Sequence, residues 1–275
     1  MNDAHAASDR KPAGFDTSVA HNARVWNYWL GGKDHFEAAR EAGDRVFAMF
    51  PDIVHVARGD RAFLGRAVRF LTTQAGIRQF LDIGTGLPSA NNVHDVAQRI
   101  NPETRVVYAD NDPIVLAHAR ALLASGPNGA TAYLDADIRE PEKILSDPVT
   151  RSTLDFTRPI ALMLVAVLHF VPDEDGPRHI VRTLVDALPP GSYVVASHAT
   201  AEHNPEGLSG AGRAYEEGGM RGAIRTSEEF TDLVFGGLEL VDPGVVLVSE
   251  WRPEGEGIRP QPNEVNTYGG VARKP

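Results

Sequence analysis

Polar and apolar positions follow two regimes that meet near Gly76. From Ser18 to Gly76 the apolar residues recur at helical spacing. Val25, Trp26, Trp29 and Leu30 make one stripe, Phe36, Val46, Phe47 and Phe50 continue it, and Phe63, Leu64, Val68 and Leu71 mark a third helix. Beyond Gly76 short apolar runs alternate with helical stretches, the pattern of βαβ units on a parallel sheet. Strands are expected at 79–84, 105–110, 131–134, 159–167 and 192–197. The fourth is nearly all apolar, as befits a central strand covered on both faces. Helices are expected at 92–100, 113–124, 173–188 and 226–234, the last with Thr226 as N-cap and Glu229 in the capping-box position. Residues 245–249 and 268–273 should close the chain as a hairpin around a Pro- and Gly-rich loop. The expected fold is therefore α/β: a seven-stranded, mostly parallel, Rossmann-like sheet with helices on both faces, spanning 76–275. An N-terminal helical lid, 16–75, tops it, and the polar residues 1–15 read as a disordered tail.

Composition narrows the function classes. A chain of 275 residues, 42% hydrophobic and 23% charged, has enough apolar sequence for one such domain and an accessory segment. Cysteine is absent, so disulfides and thiolate metal sites are excluded, and no metal site is expected. A formal net charge of −10 argues against an extended nucleic-acid surface and favours small-molecule partners. The N-terminus has no apolar core of the signal-peptide kind. The longest apolar run, Ile160 to Leu168, stops far short of the roughly 20 residues that span a bilayer. The expectation is a cytoplasmic protein with no membrane segment; nothing in the pattern signals an oligomeric state.

Candidate chemistry gathers where strands end. Leu81-Asp82-Ile83-Gly84-Thr85-Gly86 leaves the first strand through a Gly-x-Gly turn, which lets the backbone approach a ligand without an intervening Cβ. A structural tight turn explains the same pair. Asp110 ends the next strand, 24 residues after Gly86, where a carboxylate can accept both hydroxyls of a ribose. Asn111 follows it, although Asn111 or Asp112 can equally cap the helix that Pro113 opens. After the third strand, Asp137 is a candidate for the adenine amino group and Ile138 for the ring face. Asn91, at a helix start, carries an amide able to reach a ligand. Three such signals at the carboxyl ends of successive strands fall where doubly wound sheets bind nucleosides. A dinucleotide site would want a third glycine where Ser89 stands, and Pro88 removes an amide donor a pyrophosphate would use. Asp82 would repel pyrophosphate but suits an ammonium and a sulfonium. The residues thus favour S-adenosylmethionine, leaving S-adenosylhomocysteine as product, over a nicotinamide dinucleotide.

Asp82, Gly84 and Gly86 resemble the Asp/Glu-x-Gly-x-Gly element of class I methyltransferases, with Pro88 departing from its usual third glycine. More specifically, the chain resembles the S-adenosyl methyltransferase family first catalogued as a domain of unknown function, DUF574. Residues 23–34, 80–96, 106–122, 162–175, 191–200 and 268–274 carry the likeness. It implies the methyltransferase fold and cofactor, with Ala166 at the cofactor, and leaves the acceptor open. Gly31 and Gly32 end the aromatic first helix. They are either a plain C-cap or part of a lid in which Tyr28 and Lys33 sit near the cofactor's carboxylate. His169 follows the fourth strand and is the candidate catalytic base, with His198 a lesser one. The segment from Glu202 to Arg225 is expected to be a loop on the acceptor side. Two alternatives stay open: a non-catalytic protein that binds S-adenosylmethionine, and a nicotinamide-dependent oxidoreductase.

Overall fold

The computed structural model describes residues 16–89, 91–122, 128–255 and 259–275. The expected tail 1–15 and the end of the expected helix 113–124 lie outside these residues. The strands are β1 (Gln79–Ile83), β2 (Arg105–Asp110), β3 (Ala130–Asp135), β4 (Ala161–Leu164), β5 (Tyr193–Ala199), β6 (Glu239–Leu240), β7 (Val246–Leu247) and β8 (Thr267–Arg273). They form one sheet in the order β3-β2-β1-β4-β5-β8-β6, with β7 also on β8. Leu81 lies opposite Val107 on one side and Leu162 on the other, in parallel pairings. Among the described residues the antiparallel pairings are those of β8 with β5, β6 and β7. The chain runs outward from β1 in both directions, so the order reverses between β1 and β4. Crevices at the carboxyl ends of such strands are where open α/β sheets bind ligands.

Side chains alternate across the sheet with the period of two that a strand imposes. Leu81, Ile83, Val107, Leu162 and Leu164 face a core shared with α6 (Pro141–Ser146), α8 (Pro177–Asp186) and α10 (Ser227–Phe235). Phe80, Val106, Tyr108, Ala161 and Met163 face the opposite core, shared with α3 (Ile53–Thr73) and α4 (Val93–Ile100). The remaining helices are α1 (Asn22–Trp29), α2 (Glu37–Met49), α5 (Pro113–Leu122), α7 (Pro148–Thr153), α9 (Pro205–Glu217) and α11 (Pro262–Val265).

A third core sits above the sheet ends. Val25 and Trp29 of α1, Ala42 and Val46 of α2, and Leu208, Ala211 and Ala214 of α9 pack together there. Helix α3 belongs to two layers: Ile53, Val56 and Ala57 join this cap, while Phe63, Leu64, Val68 and Leu71 lie on the sheet. The segment expected as a loop from 202 to 225 instead contains α9, begun by Asn204, whose side chain accepts the Gly207 N–H, and by Pro205. Its Gly210 lets α9 lie close to α2, since a Cβ there would stand 3.3 Å from Met49 Cβ.

Other expectations are adjusted. Glu239–Leu240 adds an eighth strand, too short to show an alternation. The strand expected through 167 ends at Leu164, and Ala166 turns into the left-handed region at φ 55°. The helix expected from 173 opens as a 3₁₀ turn at Asp173–Asp175, breaks at Gly176 with φ 69°, and restarts at Pro177. Proline disfavours the α region for the residue before it, which accounts for the break.

Candidate active site

A cleft of about 1040 Å³, counting its open mouth, lies over the carboxyl ends of β1 to β4 and under α1. Gly84 and Gly86 turn the chain out of β1 with φ of 75° and 68°, conformations open mainly to glycine. The turn is held from the next strand, for Gly84 N–H donates to Ala109 O at 2.8 Å and Gly86 N–H donates to Asp110 Oδ2 at 2.8 Å. Asp110 Oδ1 accepts the Asp112 N–H at 2.9 Å, and burial raises the pKa of Asp110. Asp82 accepts from the Thr85 hydroxyl at 3.2 Å. Burial, opposed by the nearby Arg61 charge, pushes its pKa up to about 7. Farther along the sheet, Asn111 Nδ2 donates to Asp137 Oδ2 at 2.7 Å, and Arg139 pairs with Asp137 at 3.1 Å. Ile138, nearly buried, completes that end of the wall.

The opposite wall comes from helices. Ala23, Trp26, Asn27 and Leu30 face the cleft from α1 and its C-cap. Their spacing of three, four and seven is one face of a helix. Asp60 and Arg61 face it from α3. Asp60 is buried; the Ser197 hydroxyl donates to its Oδ1, and Oδ2 has no hydrogen-bond partner among the described residues. Burial pushes its pKa up to about 7. Ser197 in turn accepts the Ala166 N–H at 2.9 Å, so α3, β5 and the turn after β4 form one polar chain beside the cleft.

A second cavity, about 690 Å³ with its opening, adjoins the first on the cap side. Trp26 and Phe170 line both. Trp29, Tyr215, His169, Asn266 and helix α9 enclose the rest, and among the described residues no Asp, Glu, Lys or Arg lines it. His169 stacks on Trp26 with ring centres 5.9 Å apart. It is buried and makes no side-chain hydrogen bond among the described residues. Burial, reinforced by His198 and the Arg225 charge, holds its pKa well below the usual histidine range. His198 is fully engaged, with Nδ1 2.8 Å from Ala199 O and Nε2 accepting from Arg225 at 2.8 Å.

The cleft thus gathers Asp82, Gly84, Thr85, Gly86, Asp110, Asn111, Asp137, Ile138 and Ala166 from the expected set, with His169 in the adjoining cavity. Five expected residues do not line it. Tyr28 points from α1 toward α2, where its hydroxyl donates to Asp44 at 2.6 Å. Gly31, at φ 78°, and Gly32 form the helix C-cap, with Gly32 packed against Asn27 so closely that a Cβ would overlap it. Lys33 lies beyond that cap. Asn91, at φ 62°, is exposed and accepts from Arg99 at 2.7 Å. Sequence reasoning passed over Trp26, Asn27, Asp60, Arg61 and Arg139. The α1 pair was readable from helical periodicity, whereas Asp60 and Arg61 become neighbours of β1 only through tertiary folding. Among the described residues no cluster of three or more potential metal ligands occurs, and no helix is long and apolar enough to cross a membrane.

Comparison with known proteins bears on the family and the fold. The family model for S-adenosyl methyltransferases matches residues 8–275. A crystal structure of a DUF574 family protein from Streptomyces avermitilis is 48% identical, covers 94% of this chain and 99% of its own, and superposes with a TM-score of 0.91. A protein from Thermobifida fusca is 43% identical over 97% of this chain and 99% of its own, with a TM-score of 0.89. An S-adenosylmethionine-dependent methyltransferase from Anabaena variabilis shares 15% identity over 96% of this chain and all of its own, at a TM-score of 0.50, a likeness of fold. No curated protein matches. The chain belongs to the S-adenosyl methyltransferase family, a class I methyltransferase fold with S-adenosylmethionine as its cofactor.

Proposed function

We propose that this methyltransferase acts on a small molecule, with the cofactor in the strand-end cleft and the acceptor in the adjoining apolar cavity. The observation that carries the reading is the shared wall. Among the described residues, Trp26 and Phe170 separate a cleft lined by four aspartates from a cavity lined by no Asp, Glu, Lys or Arg. Such a division suits a cationic cofactor and an acceptor of different polarity meeting across one partition.

The residues present fit the cofactor. Asp60, Asp82, Asp110 and Asp137 outnumber Arg61 and Arg139 around the cleft, and Asp60 keeps a buried oxygen without a partner. That balance favours an ammonium and a sulfonium and disfavours pyrophosphate. A Cβ at Gly86 would meet nothing within 4 Å, so the turn presents open backbone to a ligand. Asp110 accepts from the ribose hydroxyls; its oxygens already take two amides but have lone pairs to spare. Asp137, oriented by Asn111 and Arg139, accepts from the adenine amino group, and Ile138 covers the ring. Asp60 and Asp82 hold the ammonium, and Arg61 holds the carboxylate. When bound, the cofactor supplies an electrophilic methyl group on sulfur. Trp26, Phe170 and α9 then exclude water and orient the acceptor, the contribution that most speeds a displacement with so good a leaving group.

Calorimetric titration with S-adenosylmethionine, S-adenosylhomocysteine and the nicotinamide dinucleotides tests the cofactor assignment. Binding of the first two alone is expected. Retention of that binding in a Gly212→Leu variant, altered in the second cavity alone, that has lost turnover would support the division of labour, and loss of both together would contradict it.

A further inference from the structure

The second cavity has a chemical signature of its own. Its walls are aromatic, from Trp26, Trp29, Phe170 and Tyr215, and among the described residues no carboxylate, ammonium or guanidinium lines it. Phe170 and Tyr215 stack on each other 5.7 Å apart with an interplanar angle of 11°. Within this apolar lining stand two polar side chains with unmet capacity. Among the described residues, His169 Nδ1 and Asn266 Oδ1 are each buried without a hydrogen-bond partner. Both residues are at least nine-tenths buried, at 8% and 0% exposure. An orphaned buried polar atom is costly, and a ligand that satisfies it recovers that cost. No hydrogen bond among the described residues ties the His169 ring, which lines the cavity. Its burial beside Arg225 keeps the imidazole neutral and able to accept.

We infer that the acceptor is an uncharged aromatic compound bearing a hydroxyl, which His169 receives as hydrogen-bond and proton acceptor. This inference rests on the assignment of the two cavities above. The hydroxyl oxygen gains the methyl carbon as the carbon–sulfur bond breaks, the electron pair of that bond stays on sulfur, and the hydroxyl proton passes to the imidazole. The aromatic ring lies among Trp26, Phe170 and Tyr215. Phosphorylated and carboxylated compounds are rejected because no cation in the cavity offsets their desolvation.

The test titrates the full chain, saturated with S-adenosylhomocysteine, with 2-naphthol, naphthalene, 2-naphthoate and 2-naphthyl phosphate. The naphthol is expected to bind at least tenfold more tightly than each of the other three. In His169→Leu its advantage over naphthalene should vanish, and formation of 2-methoxynaphthalene from S-adenosylmethionine should fall at least 100-fold. Gly212→Leu places a side chain in the cavity, at a position where a Cβ meets nothing within 4 Å. It should lose naphthol binding at least tenfold while keeping the S-adenosylhomocysteine dissociation constant within twofold, which also shows that it has folded. Equal or tighter binding of either anion, an unchanged naphthol preference in His169→Leu, or wild-type binding without methyl transfer would overturn the inference. Failure of wild-type protein to bind S-adenosylhomocysteine would instead strike the cofactor assignment, a result separable from all of these.

Discussion

Asp110 Oδ2 accepts the Gly86 N–H at 2.8 Å, so the carboxylate that ends β2 also holds the glycine turn that leaves β1. On the proposed function, the group that receives the ribose also sets the shape of the turn. Asp110→Ala should raise the dissociation constant of S-adenosylmethionine by the equivalent of about 1–3 kcal/mol, the scale of a charged hydrogen bond and its orphaned partner. It should also lower the melting temperature. Asp110→Asn keeps one carbonyl acceptor and should recover stability more than affinity. Calorimetry and thermal melting on both variants check this, and equal recovery of the two would confine Asp110 to the turn.

Gly84 is constrained from two directions. Its φ is 75°, and a Cβ there would lie 2.4 Å from Val167 Cγ2. Gly86, at φ 68°, faces open space. Gly84→Ala should therefore cost left-handed strain of about 1–2 kcal/mol plus overpacking of about 1–3 kcal/mol, and Gly86→Ala the strain alone. Denaturant unfolding of the pair measures the difference. Similar losses would mean that Val167 yields freely.

Arg24 fastens the cap to the sheet. Its guanidinium meets Asp112 through two bonds, at 2.8 and 3.0 Å, and both side chains are buried. Arg24→Met leaves a buried carboxylate without its cation and should destabilise by about 3–5 kcal/mol. Arg24→Met with Asp112→Asn should cost less than the sum of the single changes, a coupling that a double-mutant cycle in denaturant reads directly.

Burial raises Asp60 and Asp82 to about 7 from an ordinary value of 3.8. Each binds its proton more tightly folded than unfolded. Their stabilisation of the ligand-free protein is complete below the unfolded value and is lost as pH rises toward 7. A cation favours the ionised form, so S-adenosylmethionine binding should release protons and tighten from pH 6 to pH 8. Titrations in buffers of different ionisation enthalpy count those protons. A dissociation constant flat across that range in wild type, or the same slope in Asp82→Asn, would contradict the assignment.

Local signals carried most of the sheet and half of the site. β1 and β2 and the residues at their ends, Gly84, Gly86 and Asp110, were legible because strand alternation and turn chemistry act over a few residues. The helix α9 was not, because its glycines read as loop formers when Gly210 serves the close approach of α2. Tyr28 and Lys33 stood out by residue type, yet the cleft is faced by Trp26 and Asn27, set by the helix phase. Asp60 lies 22 residues before Asp82 in an ordinary amphipathic helix, and only its burial beside Ser197 distinguishes it. The strand β6, two residues long, carries no pattern at all.

The partition formed by Trp26 and Phe170 has a thermodynamic consequence. A molecule on either side that shifts these rings changes the wall seen from the other side. Occupancy of the two chambers is then linked, and linkage is reciprocal: whatever factor the first guest adds to the affinity of the second, the second returns to the first. On the proposed assignment of the two chambers, spent cofactor is then held with one affinity beside a filled neighbour and another beside an empty one.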